Sequence, residues 1–508
     1  MKSKRDCVGF IKETFGDEKP LAKMVRSDAG YYLYDTGTNK ILECRREVFD
    51  LLNDLLTHGD VNQSGHLIYV MEKKFLEVVR EIFEAVDQEN ILRVKRASQF
   101  GLSDHFNDIE DILNTSVQAI TLEVTEDCNL RCLYCIYNDH VKDKRNHSKK
   151  AMSLDVAKKA IRFLKEHSSE TDQVGIGFYG GEPLLRFPFI KECVEYTRRI
   201  FTDQKVLFNI TTNATLIGPE IAGYLLDNGF SILVSLDGPQ IIHDQYRRDK
   251  TGSGSYEQTL RGLEILSKKH KDIKKGQISL NMVYSPPFSE YKMESIYKYL
   301  MELGWMPLIN TTIVYPGEGT IPMNLISKKD LKEDSGLMQW AFNKYRKNYQ
   351  ESALMVKGVL ERRFAKLMQR PVLTEPVDSY FLNGCCVPGQ RKNFISVNGT
   401  IHVCEKISTY SPSIGDVNTG YDIDTIQKIY IDNYAERSIR DCSRCWGLRL
   451  CEVCYVHAFN GKGEFDLDKK RRGCDSMLKT MERSIEYFVT SMNEDADRFK
   501  YLYQYKLT

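Results

Sequence analysis

Between about residues 115 and 315 the chain alternates strand-like and helix-like runs, and this alternation constrains the fold more than any other feature. The strand candidates are Ile120–Val124, Val174–Tyr179, Val206–Thr211, Ser231–Ser235, Ile278–Val283 and Pro307–Val314. The first helix candidate opens at Ser153, a good N-cap, and sets Val156, Ala160, Ile161 and Leu164 on one face. The others span about 187–201, 219–228, 255–269 and 289–303. Six β/α units imply an α/β fold with a parallel sheet and right-handed crossovers. Chemistry in such sheets gathers at the C-terminal ends of the strands.

The most reactive residues stand at such an end. Cys128-Asn-Leu-Arg-Cys132-Leu-Tyr-Cys135 reads C-x3-C-x2-C and directly follows the first strand candidate. Three thiolates in so short a loop can hold three irons of a [4Fe–4S] cube and leave the fourth open for chemistry. The alternative is a zinc knuckle, which needs a fourth Cys or His nearby, and His140 is the only candidate. Further on, Gly180-Gly-Glu-Pro183 follows the second strand, and Ser235-Leu-Asp-Gly-Pro239 ends the fourth. Zinc explains neither.

With these motifs the chain resembles the radical S-adenosylmethionine (SAM) superfamily. The resemblance implies a partial (β/α)6 barrel of TIM type. It places one [4Fe–4S] cluster on Cys128, Cys132 and Cys135, with Tyr134 as the usual aromatic before the third cysteine. Gly180, Gly181, Glu182 and Pro183 would bind the SAM amino group, and Ser235 would contact its ribose or carboxylate. Asn213 is either a further SAM contact or a turn residue. Arg247 or Arg248 would pair the SAM carboxylate, because arginine makes bidentate carboxylate contacts. The implied reaction is one-electron cleavage of SAM, after which a 5′-deoxyadenosyl radical abstracts an unactivated hydrogen.

At 508 residues, length alone suggests roughly three domains. The first, residues 1–105, carries strand-like Tyr31–Tyr34 and Lys40–Glu43 around the turn sequence Asp35-Thr-Gly-Thr-Asn39, then helical patterns at Glu47–Leu56 and Glu72–Val86. Ahead of a radical SAM core (106–315), this α+β pattern resembles the winged-helix-like RiPP recognition element. Such a module takes the leader of a ribosomally made precursor peptide as an added strand. A structural cap or dimerisation unit is the alternative. Residues 316–380 read as a helical bridge. Residues 381–508 end in a helix at about Ser476–Arg498.

The last segment holds most of the remaining thiols. Of 14 cysteines, eight lie between Cys385 and Cys474. So many thiols point to metal ligation rather than disulfides in a reducing compartment. Cys386-x12-Gly399-x4-Cys404, Cys442-x2-Cys445-x5-Cys451-x2-Cys454 and Cys474 resemble the SPASM domain, with the last gap of the four-cysteine string one residue short of the family form. That resemblance implies two auxiliary [4Fe–4S] clusters, three in all. Cys442, Cys445, Cys451 and Cys474 would hold one. Cys386, Cys404 and Cys454 would hold the other, with Cys385 either a fourth ligand or a free thiol. A zinc ribbon is the alternative for the four-cysteine string alone. Cys193 falls in a helical pattern as a core residue, while Cys7 and Cys44 show no partner spacing.

Two local details bear on the reaction. Sulfatase-maturating enzymes place an Asp base after the cysteine matching Cys404, where this chain has Glu405, a candidate acid/base or a carboxylate paired with nearby cations. Trp446 within the four-cysteine string, and Cys386-Val-Pro-Gly389, resemble enzymes that build thioether crosslinks in peptides. The expectation is a sactisynthase-like maturase joining cysteine sulfur to carbon, supplied with electrons by a flavodoxin or ferredoxin. The alternatives are a carbon–carbon peptide cyclase, a formylglycine-forming maturase and a non-catalytic leader-peptide carrier. A formal net charge of +1 suggests neither nucleic acid nor a membrane surface as partner. No apolar run approaches a bilayer span, and the N-terminus lacks a signal-peptide stretch, so a cytoplasmic location is expected.

Overall fold

The computed structural model describes residues 18–58, 72–100, 108–138, 145–269, 277–303, 310–314, 321, 336–349, 354–380, 385–407, 410–460 and 462–505. Cys7 and His140 lie outside them.

The N-terminal unit is a meander of β1 (Ala22–Ser27), β2 (Gly30–Asp35) and β3 (Lys40–Cys44), followed by α1 (Arg46–His58) and α2 (Glu72–Glu89). The turn between β2 and β3 is built on Asp35, whose carboxylate accepts from the Thr38 N–H (2.7 Å) and hydroxyl (2.8 Å) and from the Leu92 N–H (2.8 Å). Met24 and Leu33 pack one sheet face onto Leu51, Leu52, Phe75 and Val79 of the two helices. Val25, Tyr32 and Tyr34, on the opposite face, belong to the main core of the molecule.

The central strands are β4 (Ala119–Thr125), β5 (Gln173–Gly180), β6 (Lys205–Thr212), β7 (Ser231–Ser235), β8 (Ile278–Val283) and β9 (Asn310–Val314). They pair in parallel in chain order. The connecting helices are α3 (Ile109–Thr115) before the first strand, then α4 (Leu154–Glu166), α5 (Phe187–Ile200), α6 (Pro219–Asp227), α7 (Gln240–Tyr246), α8 (Tyr256–Lys269) and α9 (Glu290–Glu302). Ser153 caps α4 as expected, its hydroxyl accepting from the Val156 N–H. Helix α7 follows Pro239 and was not expected.

Burial along these strands alternates, unlike the continuous apolar runs of a parallel sheet covered on both faces. Ile278, Leu280 and Met282 are buried, while Ser279, Asn281 and Val283 are half-buried. In β6, Phe208 and Ile210 are buried and Leu207 and Asn209 exposed. The apolar set meets the helices, where each fully buried Leu or Ile contributes about 1.5–3 kcal/mol. The other set, which includes Asn209, Ser279 and Asn281, is more exposed and partly polar.

The bridge contains α10 (Gly336–Lys347) and α11 (Leu354–Met368). Beyond it, β10 (Asn393–Ile395) pairs in parallel with β4, and β11 (Thr400–His402), β12 (Gly415–Asp416) and β13 (Gly420–Tyr421) follow antiparallel. The C-terminal segment thus extends the central sheet to ten strands at its first-strand edge. A π-helical stretch, Ile426–Asn433, leads into α12 (Tyr434–Cys442). The long α13 spans Leu467–Glu494, starting nine residues earlier than expected because Asp466 accepts from the Lys469 N–H and caps it there. It carries the N-terminal unit: Lys23 pairs with Glu482 at 3.0 Å, and Asn493 donates to the Tyr32 hydroxyl. Among the described residues no helix is long and apolar enough to cross a membrane.

Candidate active site

The C-x3-C-x2-C loop leaves the C-terminal end of β4, and backbone bonds strap it down from two sides. Arg131 N–H donates to Arg248 O (2.6 Å) and Leu133 N–H to Tyr246 O (2.8 Å). From β5, Gly181 N–H donates to Thr125 O (2.7 Å) and Glu182 N–H to Asp127 O (2.9 Å). Cys128 and Cys132 are buried and Cys135 half-buried, in a nest with Leu130, Tyr134 and Tyr246. Burial pushes all three thiols up, Cys135 to about 12. The N–H of Leu130 points at Cys128 Sγ (3.4 Å) and that of Tyr137 at Cys135 Sγ (3.5 Å). Such donors suit sulfurs that carry charge, and the three thiols fit a cationic group that takes them as thiolates.

The two glycines of the following motif have a steric cause. A Cβ on Gly181 would lie 2.0 Å from Asp127 O, and one on Gly180, whose φ is +129°, 2.3 Å from Thr125 O. Side chains there would prise the end of β5 from the cysteine loop. Glu182 is buried; its carboxylate accepts from the Leu184 N–H (3.1 Å), the Thr212 hydroxyl (2.7 Å) and the Asn213 N–H (2.8 Å). It therefore ties β5 to β6. Pro183 opens the next turn of helix.

Asn213 lies at the same strand ends. Its amide donates to Asn129 Oδ1 (2.9 Å) within the cysteine loop, and its oxygen accepts from the Thr215 N–H and hydroxyl. The N-cap of α6 is Gly218, so Asn213 bends the turn and braces the loop without capping that helix. Ser235 is buried at the end of β7, opposite Asn281 of β8. Its neighbour Asp237, which sequence reasoning passed over, organises more of the site. It accepts from the Tyr134 hydroxyl and from the Val283 N–H (3.0 Å), and Arg247 donates to the same Tyr134 hydroxyl (3.0 Å). Tyr134, Asp237 and Arg247 form one buried network. Arg247 Nε is buried without a partner among the described residues. Arg248 instead turns to the surface and donates to Asp244 O.

The second cysteine group divides in two. Cys442, Cys445, Cys451 and Cys474 all line one cavity of about 360 Å³ between α12, α13 and the intervening loops. They surround a volume rather than a point: among the described residues no three Cys, His, Asp or Glu side chains converge closely enough to share one metal ion. Tetrahedral zinc draws four sulfurs to about 2.3 Å from one centre, whereas each thiolate of a cube meets a different iron. A cluster fits this donor set better than zinc. Cys454 raises both Cys385 and Cys404, after the dominant effect of burial on each, which gathers these three thiols into a second neighbourhood. Cys386 is exposed. The Tyr434 hydroxyl donates to Val453 O (3.4 Å) and that of Tyr455 to Cys386 O (3.3 Å).

Glu405 is mostly covered and pairs with Lys392 at 3.6 Å. Its charge, after burial, is the largest influence raising the Tyr179 hydroxyl, which also responds to Cys135. Tyr179 precedes Gly180 and stands between the first cysteine loop and the Cys404 neighbourhood. Nothing in the sequence marked it. Cys193 is fully buried in α5.

Comparison with known proteins agrees with this geometry. The family model of the Radical SAM superfamily matches residues 122–300. A cysteine-type anaerobic sulfatase-maturating enzyme of Clostridium novyi is 31% identical over 156 residues, 30% of this chain and 41% of that protein. The radical SAM cyclopropyl synthase TigE of Paramaledivibacter caminithermalis is 22% identical over 94% of this chain and 96% of its own. The chain spans between 34% and 60% of the length of the three curated relatives it matches first. Native anSMEcpe with bound AdoMet has the same fold, at a TM-score of 0.55 and 19% identity over 73% of this chain and 99% of that one. Residues 122–300 therefore form a radical SAM domain, in a chain related to sulfatase maturases and other radical SAM enzymes.

Proposed function

We propose that the chain is a radical SAM maturase that joins a cysteine sulfur to carbon within a ribosomally made precursor peptide. One observation carries the reading: Tyr179 responds to both Cys135 and Glu405. Strand β10 pairs with β4, and Tyr179 meets Phe394 edge to face at 6.3 Å, which supports a reading in which the cysteine loop beyond β4 and the Cys404 segment serve one reaction. Bound SAM and its cluster supply a strong hydrogen-atom abstractor. Residues of the chain do the rest. Arg247 and the Tyr134–Asp237 pair hold the SAM end of the site, and Glu182 and Asn213 fix the strand ends beneath it. The thiols of the second group would hold two auxiliary clusters, which would supply an acceptor for the second electron and a site for a peptide sulfur. The β3 edge of the N-terminal sheet pairs with no further strand among the described residues and suits an added leader strand. A flavodoxin or ferredoxin supplies the electrons.

A second reading is favoured by the relative that spans nearly the whole chain, which is named a cyclopropyl synthase. It would form a carbon–carbon bond without a sulfur ligand. One experiment separates the two. The anaerobically reconstituted enzyme is incubated with SAM and a cysteine-rich precursor peptide, and the product is alkylated and sequenced by tandem mass spectrometry. Loss of two hydrogens with cysteines that resist alkylation supports the thioether. The same loss with every cysteine alkylated moves the assignment to carbon–carbon bonding.

A further inference from the structure

Lys470 is 3% exposed, a rare position for an ammonium. It lies in α13 one turn before Cys474, so one helix face presents both a cation and a thiol to the four-cysteine cavity. Its Nζ stands 3.2 Å from Cys442 Sγ and 5.2 Å from the centre of the Tyr434 ring. It makes no ion pair among the described residues. Asp441, a carboxylate its charge reaches, is held at 2.7 and 3.1 Å by Arg471. Burying an ammonium without a direct ion pair is costly. A thiol and an aromatic face offset little of that, but a thiolate ligand of an anionic cluster would offset most of it.

We propose that Lys470 raises the reduction potential of a cluster held by Cys442, Cys445, Cys451 and Cys474. The inference rests on the auxiliary-cluster reading above. Each electron the cluster accepts makes it more negative, so a cation fixed at a ligand sulfur stabilises the reduced form more than the oxidised one. Cluster potentials follow net charge and hydrogen bonds to sulfur, and Lys470 supplies both with the same sign. Its burial keeps salt from screening the effect. Lys470 tunes charge and touches no reacting atom.

The test uses the full-length Cys128→Ala/Cys132→Ala/Cys135→Ala chain, reconstituted anaerobically, so that only auxiliary clusters remain. Iron is counted, and midpoints are measured by mediated redox titration with electron paramagnetic resonance detection. If this parent holds no iron, the auxiliary-cluster reading fails regardless of Lys470. With iron present, Lys470→Met is expected to keep its iron and move one midpoint negative, and Lys470→Arg to restore it. Full iron with unchanged midpoints in Lys470→Met overturns the proposal. Loss of iron in both Lys470→Met and Lys470→Gln, with Lys470→Arg normal, also overturns it, since the cation would then serve assembly rather than potential.

Discussion

The closest backbone approach in the site gives the sharpest prediction. In Gly181→Ala, the new methyl would meet Asp127 O at 2.0 Å and Asp127 C at 2.5 Å. Both are backbone atoms, so no side chain can swing away. Gly181 does not occupy the left-handed region, so the penalty is steric and not conformational. Relief comes only by parting the ends of β4 and β5. That stretches the Gly181-to-Thr125 and Glu182-to-Asp127 hydrogen bonds, now 2.7 and 2.9 Å. Overpacking costs about 1–3 kcal/mol, and each hydrogen bond about 1 kcal/mol. The sum, about 3–5 kcal/mol, is a large part of a typical folding free energy. The displacement falls one residue from Cys128, so iron at the first loop should be lost before the chain unfolds. Iron per chain after anaerobic reconstitution, SAM cleavage under dithionite, and urea unfolding read the effect. Gly218→Ala is the control, because its Cβ would meet nothing within 4 Å and only the N-cap preference, about 1 kcal/mol, is at stake. A Gly181→Ala enzyme that loads iron, cleaves SAM and unfolds like wild type would refute the reasoning.

Other outcomes follow from the same geometry. Cys385→Ala should lose one cluster's iron and Cys386→Ala should not, because Cys385 is gathered with Cys404 and Cys454 while Cys386 is exposed; iron analysis giving the reverse pattern would reassign the ligand. Asp237→Asn leaves the buried Arg247 without its nearby carboxylate, a loss on the order of 3 kcal/mol, and should weaken SAM binding by calorimetry; wild-type affinity and stability would detach this network from the site. Burial, with Arg145 adding to it, holds His402 down at about 4. The unfolded chain then binds a proton that the folded chain refuses between about pH 6.5 and pH 4, so stability falls as pH falls through that window. From pH 6.5 to pH 5 that is about 2 kcal/mol; His402→Gln should lose less stability than wild type over this span in urea titrations, and parallel losses would remove His402 as the cause.

The sequence showed the central strands because their signals are local. Ser231–Ser235 and Ile278–Val283 run between the expected residues, and the other strands differ at their ends. Each is a short run rich in β-branched and apolar residues between turn signals, and Ile278–Val283 alternates apolar and polar residues along most of its length. Strand β1 escaped notice because Ala-Lys-Met-Val-Arg-Ser is only half apolar and takes its register from pairing with β2. Strand β10 has three residues and is a strand because β4 offers it an edge. The thiols were legible as groups, since spacing is a sequence property. Their brace was not. Asp237 is hidden inside a motif whose serine drew attention, and Lys470 is one lysine among many until its burial is known.

The least legible feature concerns how the segments meet. The β2–β3 turn rests on the loop between Cys445 and Cys451. The Thr36 hydroxyl donates to Trp446 O (2.6 Å), and Arg449 donates to Thr36 O (2.6 Å) and Gly37 O (3.3 Å). Arg449 also stacks over Tyr380 (4.8 Å), while Tyr34 meets Trp446 edge to face (6.0 Å). The contacts of Thr36, Gly37 and Tyr34 with Trp446 and Arg449 join residues more than 400 positions apart, and no periodicity could announce them. They also give Trp446 a physical reason for its place in the cysteine string. Its ring anchors the N-terminal sheet, and its carbonyl fixes the loop one residue after Cys445. A strand added at β3 would stiffen β2, and β2 ends in the turn that grips this loop. The N-terminal sheet and the loop that lines the four-cysteine cavity are therefore connected through Thr36 and Arg449.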